Sequence, residues 1–233
     1  DNNCIDSYTW NLIPIDEDHC PRDIELEKVI QKYKDQTDSK YCRVVTRFAD
    51  RYTHPARNQE TLLGKLLADA FKDVLGVDIM FLGSGSIRDE ELGPIVQYRD
   101  LLQVFPYNDE IYRICVTGEQ LRRMVKRILR NEGDHAEYYQ FSRGFRIEFN
   151  QKEQELISLS FNGYEVRDND QYKLGLQSFH LKNIQDFLDV SLEEVTAIKR
   201  PKIISTKSTD VLEEYFSQYE LIRVSNEQRL ILR

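Results

Sequence analysis

Apolar residues fall at 62, 63, 66, 67, 70, 71, 74 and 75, the 3.6-residue rhythm of an amphipathic helix that ends at Gly76. Gly64 inside it costs about 1 kcal/mol relative to alanine, so another backbone or a ligand loop is expected to approach there. A second helix is predicted over 118–130, capped by Thr117, with Leu121, Met124, Val125, Ile128 and Leu129 inward and a solvated face of Arg122, Arg123, Lys126, Arg127 and Arg130. Asp23 caps a third, from Ile24 to about Asp35, with Ile24, Leu26, Val29, Ile30 and Tyr33 as its stripe. Period-two or short apolar runs predict strands over 7–15, 41–48, 77–82, 111–116, 145–149, 156–160, 164–166 and 172–176, and Asn162-Gly163 is a two-residue hairpin turn. A short helical segment starts at 98–102, and a loop is expected from Gln177 to Asp186. The tail reads as a capped helix near 209–217 and two strands around 220–224 and 229–232.

With no internal repeat and no low-complexity linker, these elements place residues 41–233 in one α/β unit, a mixed sheet with helices on its faces. Residues 1–40 have a different texture and read as a connector from a preceding domain. The acidic run Asp16-Glu17-Asp18 with His19 is a solvated loop, because consecutive residues cannot all face one ion.

Composition narrows the partners. Hydrophobic residues at 40% and aromatic ones at 11% suffice for a real core in 233 residues. A net charge of −8 sets the mean field against a phosphate backbone, so no nucleic-acid partner is expected, while a small ligand held by local arginines stays open. No apolar run approaches a membrane span. The start, Asp-Asn-Asn-Cys, is neither an initiator methionine nor a signal peptide, and suggests a piece of something longer. Cys42 and Cys115 read as small core residues, whereas Cys4 and Cys20 could pair in an oxidising compartment; no Cys or His spacing suggests zinc. The compartment stays open between the cytoplasm, which is favoured for this stretch, and export of a longer parent.

The candidate chemistry centres on Ile79-Met80-Phe81-Leu82-Gly83-Ser84-Gly85-Ser86-Ile87-Arg88, an apolar strand running into a glycine-serine loop that ends on one arginine. Gly83 and Gly85 can take backbone angles that side chains forbid and offer N–H groups to an anion or polar ligand. A plain strand-to-turn connection is the other reading.

The order Glu60-Thr-x-Leu-Gly-x-Leu-x-Ala-Asp69-Ala, Gly83-Ser-Gly-Ser-Ile-Arg88, Phe105-Pro106-Tyr107-Asn108 and Val116-Thr-Gly-x-x-Leu121 resembles the C-terminal domain of the 5′-nucleotidase family. The resemblance implies a substrate-specificity domain, with residues 1–40 as the end of a metallophosphoesterase domain and the linker to it. It further implies that Arg57 and Arg88 contact the nucleotide's ribose, and that Tyr107 and Phe179 clamp the base. Gly83 and Ser84 stand where the family's Asn-Gly-Gly-Gly-Ile-Arg motif begins. The family's Gly-Gly-Asp after the second aromatic is replaced by Phe179-His180-Leu181-Lys182-Asn183-Ile184-Gln185-Asp186, with Asp186 one place late as the ribose-binding carboxylate. The family's two divalent metal ions and catalytic Asp–His pair are implied for the N-terminal domain. No cofactor is expected in this stretch, which by itself should be inactive, and a non-catalytic binding or interaction domain that kept the fold is the alternative.

Overall fold

The computed structural model describes residue 5 and residues 7–130 and 137–233. The chain divides into two compact units, 1–41 and 42–233.

In the first unit Asp23 caps the helix as expected, its Oδ1 accepting the Leu26 N–H at 3.0 Å. The helix runs on past Asp35 to Tyr41, since no glycine or proline stops it. Residues 7–15 form no strand: among the described residues nothing pairs with them, and without a ladder the alternation has no hydrogen bonds to hold it. Asp16 closes the acidic turn by accepting from the His19 N–H at 3.0 Å.

The second unit is built on a five-stranded sheet in the spatial order Lys202–Ser205, Ile111–Thr117, Gln171–Gln177, Ile79–Gly83, Tyr139–Phe141. Gln171–Gln177 runs parallel to Ile79–Gly83, and the other neighbours are antiparallel. Every residue of Ile79–Gly83 is buried. Met80 and Leu82 join the core packed on the Leu62–Leu75 helix, while Ile79 and Phe81 join the core packed on the Gly118–Arg130 helix. A strand covered on both faces reads as a continuous apolar run, which is why this one was visible in sequence.

Three smaller sheets flank it. Tyr164–Glu165, Glu155–Phe161, Phe145–Asn150 and Leu230–Leu232 form one; Leu221–Ile222, Val44–Phe48 and Ile95–Gln97 another; Tyr52–Thr53 pairs with Glu91–Leu92. Asn162 and Gly163 turn the hairpin with φ of 50° and 83°, the pair of positive angles that a tight two-residue turn requires. Gly76 ends its helix at φ 61°.

Several expectations need correction. The stretch from Gln177 to Asp186 is not a loop but two short helices, Ser178–Lys182 and Ile184–Leu188. What approaches Gly64 most closely is not another backbone but the side chain of Gln140, whose Oε1 would stand 2.3 Å from a Cβ there. The basic face of the Gly118–Arg130 helix is tied down rather than merely solvated. Arg122 Nε donates to Asp168 at 3.1 Å, Arg123 pairs with Glu194, and Arg130 Nε donates to the Gln154 carbonyl at 3.1 Å. Cys42 and Cys115 are only half-buried, Cys20 is exposed, and Cys4 lies outside the described residues. The Leu192–Ile198 helix and the Lys202–Ser205 strand went unpredicted. Among the described residues, no helix is long and apolar enough to cross a membrane.

Candidate functional site

The Ile79–Gly83 strand delivers the chain into a 3-10 turn over Ser84–Ser86. Gly83 keeps φ −54°, and Gly85 is not among the glycines at positive φ, so neither uses an angle closed to other residues. Glycine is there for room. A Cβ on Gly83 would lie 2.1 Å from His180 Nε2, and one on Gly85 would lie 3.2 Å from Glu137 Oε1. The turn's N–H groups are taken by the protein itself: Gly83 donates to Gln177 Oε1 at 3.3 Å, Ser84 to the Tyr138 carbonyl at 2.8 Å, and Gly85 to Glu137 Oε1 at 3.1 Å. The anion-nest reading of this loop gives way to a scaffold whose donors are satisfied internally.

Behind the turn sits a buried polar network. Thr61 Oγ1 accepts the Gly64 N–H at 3.0 Å as helix cap and meets His54 Nδ1 at 2.8 Å, while His54 Nε2 meets the Ser84 carbonyl at 3.2 Å. A carbonyl only accepts, so the proton is assigned to Nε2 and Thr61 donates to Nδ1. Burial pushes His54 below the usual imidazole range, with the nearby Arg57 charge acting the same way and the bond to the Ser84 carbonyl opposing both. Gln140 Nε2 donates to Ser84 Oγ at 3.0 Å and to the Gln59 carbonyl at 2.8 Å, and its Oε1 accepts the Thr61 N–H at 3.0 Å. Gly83 and Ser84 are therefore walled in behind the site, Ser84 wholly buried, and do not line it. His180 is also buried but reaches the back wall of the cavity: Nδ1 meets the Tyr139 hydroxyl at 2.9 Å, and burial depresses its pKa to about 4.

In front of the turn lies a cavity of about 360 Å³. Arg57, Arg88, Tyr107 and Phe179, which come from four separate stretches of sequence, all line it. Phe105 explains the outward turn of Tyr107: it is fully buried against Phe71, ring centroids 5.5 Å apart, and so anchors the segment. Tyr107 keeps 42% of its surface exposed and Phe179 53%. The Arg88 guanidinium lies over the Tyr107 ring, 5.5 Å from its centroid, and Nη1 donates to the Gly85 carbonyl at 3.3 Å. Arg88 is thereby held while, among the described residues, no other group accepts from its guanidinium, and the side chain stays exposed.

Asp186 is not brought to this cavity. It lines a separate concavity beside Arg123 and Lys126, because the second short helix carries it away, and its carbonyl accepts from Arg127 Nε at 3.1 Å. Gly85 and Ser86, from the glycine-serine loop, complete the cavity wall together with Glu137, Asp109 and His180, and these last three were missed in the sequence. Glu137 stands next to a run of aromatic residues with no motif around it, and burial raises its pKa, opposed by the Gly85 N–H and by Arg57. Among the described residues, no group of three or more His, Cys, Asp or Glu is placed to hold a metal ion.

Comparison with known proteins matches residues 37–190 to the family described as 5′-nucleotidase, C-terminal domain. A 5′-nucleotidase of Vibrio parahaemolyticus is 23% identical over 172 residues, covering 72% of this chain and 29% of that protein. Among solved structures, a 5′-nucleotidase precursor from Thermus thermophilus superposes with a TM-score of 0.71 at 14% identity, covering 92% of this chain and 44% of that one. The NAD nucleotidase of Haemophilus influenzae gives 0.70 at 14% identity, covering 91% and 41%. The structural likenesses speak for the fold, and the chain spans less than half the length of each of these proteins. The ordered sequence motifs, the mixed sheet and the match over residues 37–190 agree: this chain belongs to the 5′-nucleotidase C-terminal domain family.

Proposed function

We propose that the cavity binds the nucleoside part of a nucleotide, and that this chain is the specificity domain of a metal-dependent 5′-nucleotidase or 2′,3′-cyclic-nucleotide phosphodiesterase. The observation that carries the reading is the convergence of Arg57, Arg88, Tyr107 and Phe179 on one cavity. Two half-exposed rings offer stacking faces worth about 1–3 kcal/mol per base contact. Two guanidiniums beside them supply charge-assisted, forked hydrogen bonds to sugar and phosphate oxygens. Rings and cations on one wall match a ligand with an aromatic part and an anionic part.

Phosphoester hydrolysis belongs, on this reading, to a metallophosphoesterase domain outside this chain, which carries the two divalent ions. The described residues do not fit that role: the potential metal ligands among them at the cavity are Asp109, Glu137 and His180, whose Nδ1 is committed to Tyr139, and no group of three or more is placed to hold an ion. The apolar stripe of the first helix, with Ile24, Leu26, Val29 and Ile30 all more than half exposed, supports assigning residues 1–40 to the end of that domain and the linker.

Calorimetric titration of the chain with adenosine and with nucleoside 5′-monophosphates tests the reading. Binding that weakens in Arg88→Ala and in Phe179→Ala supports it. Absence of binding, or binding unchanged in the double variant, overturns it. The position of Asp186 outside the cavity favours a second reading, a non-catalytic binding module that kept the fold. Coding sequence upstream of Asp1 that lacks metal-ligand motifs would select it.

A further inference from the structure

The cavity carries more than its cations and rings explain. A ligand made only of an aromatic part and an anion has no use for a carboxylate on the same wall, yet Glu137 stands there. Its position is fixed: Oε1 accepts the Gly85 N–H at 3.1 Å. The same residue accepts from Arg88 through its own carbonyl, so one glycine sets both the acidic and the basic edge of the cavity. Among the described residues, Oε2 accepts from no protein group, and Arg57 acts on the carboxylate through its charge without reaching ion-pair distance. Asp109 also borders the cavity, but no backbone N–H among the described residues orients its side chain there.

A carboxylate has only acceptor sites. When a ligand displaces water from the cavity, Oε2 either receives a donor from that ligand or is left desolvated and unpaired, and the second outcome carries the full desolvation penalty. An anionic group is drawn to the arginine side and repelled from the Glu137 side, so the two edges orient the ligand as well as hold it. Resting on the nucleoside reading above, we propose that Glu137 is a specificity determinant: its free oxygen accepts a hydrogen bond from an O–H or N–H donor of the bound nucleoside, so that nucleosides lacking that donor are rejected. The 2′- or 3′-hydroxyl of the sugar and an exocyclic base amine offer the same chemistry, whereas the 5′-oxygen of a nucleotide is esterified and has no proton to donate.

Titrating the 233-residue chain with adenosine, 2′-deoxyadenosine, 3′-deoxyadenosine and purine riboside tests this and separates the two sources. The key variant is Glu137→Gln, which keeps an oxygen for the Gly85 N–H but turns a donor toward the ligand. Hydrogen bonds to charged groups predict a loss of adenosine affinity of about 10-fold or more in Glu137→Gln. For the analogue without the contacted donor, wild type is already weakened and Glu137→Gln changes little further. A silent deoxy analogue assigns the contact to the sugar, and silent purine riboside assigns it to the base amine. An equal loss for all four ligands means that Glu137 only supports the loop, and no loss means that it touches nothing; either overturns the inference. If binding depends on Arg88 and Phe179 but not on Glu137, the inference falls and the nucleoside reading stands. If none of the four ligands binds, both fall.

Discussion

The carboxamide of Gln140 lies so close over Gly64 that a Cβ there would stand 2.3 Å from its Oε1. Three hydrogen bonds hold the amide: to the Thr61 N–H, the Gln59 carbonyl and Ser84 Oγ. It is fully buried and cannot swing aside without breaking them. Gly64→Ala should therefore destabilise by about 1–3 kcal/mol through overpacking, although alanine is intrinsically favoured over glycine in a helix by about 1 kcal/mol. In a Gln140→Ala background the clash is gone, and the same substitution should become neutral or stabilising. Urea unfolding of the four combinations reads the change of sign directly.

Arg229 and Asp69 form a buried ion pair between the C-terminal stretch and the Leu62–Leu75 helix. Nη2 lies 2.6 Å from Oδ2, with Arg229 1% and Asp69 13% exposed. Arg229 Nη1 also donates to the Phe141 carbonyl at 2.6 Å, and Asp69 accepts the Arg143 N–H at 2.7 Å. Removing the carboxylate leaves a guanidinium that the fold cannot hydrate. Asp69→Ala is expected to cost about 3–5 kcal/mol, lowering the urea midpoint far more than truncation of an exposed ion-pair partner such as Arg51, whose pair with Glu91 is half in solvent.

What the sequence disclosed was whatever depends on local period. The Gly118–Arg130 helix and the Asn162-Gly163 turn are written in neighbouring residues, and both appear where they were expected. The candidate cavity is different, because its supports come from far away in the chain. Glu137 meets Gly85, and Gln140 meets Thr61, only through the pairing of Tyr139–Phe141 with Ile79–Gly83. No local pattern announces such a partner. Asp186 was misplaced for a local reason: the apolar residues Leu181, Ile184 and Leu188 have helical spacing, so the stretch after Phe179 coils and turns the carboxylate away.

Acid should weaken the fold through His180. Its folded pKa of about 4 lies below the ordinary value of 6.5 because burial penalises the imidazolium. The unfolded chain therefore takes up a proton as pH falls through 6.5 while the folded chain does not, and stability drops until pH approaches 4. Between pH 7.5 and 5 the expected loss is about 2 kcal/mol. His54 is shifted in the same direction, whereas burial raises Glu60 and Glu137, which opposes the trend at its acid end. Urea midpoints measured across this window should fall for wild type and fall less for His180→Gln. An equal slope in the variant would remove His180 as the cause.

Phe105 and Tyr107 are two residues apart and should respond oppositely to truncation. Phe105 is fully buried against Phe71, so Phe105→Ala opens a cavity in the core and is expected to cost about 3–5 kcal/mol. Tyr107 is 42% exposed and its ring meets the Arg88 guanidinium at the cavity edge, so Tyr107→Ala should leave stability within about 1 kcal/mol of wild type. If the ring is a stacking face for a base, the same variant loses about 5- to 150-fold in nucleoside affinity, the equivalent of 1–3 kcal/mol. Unfolding and titration measured side by side then separate the two roles: a Tyr107→Ala protein that is as stable as wild type and binds adenosine equally well would remove this ring from the site.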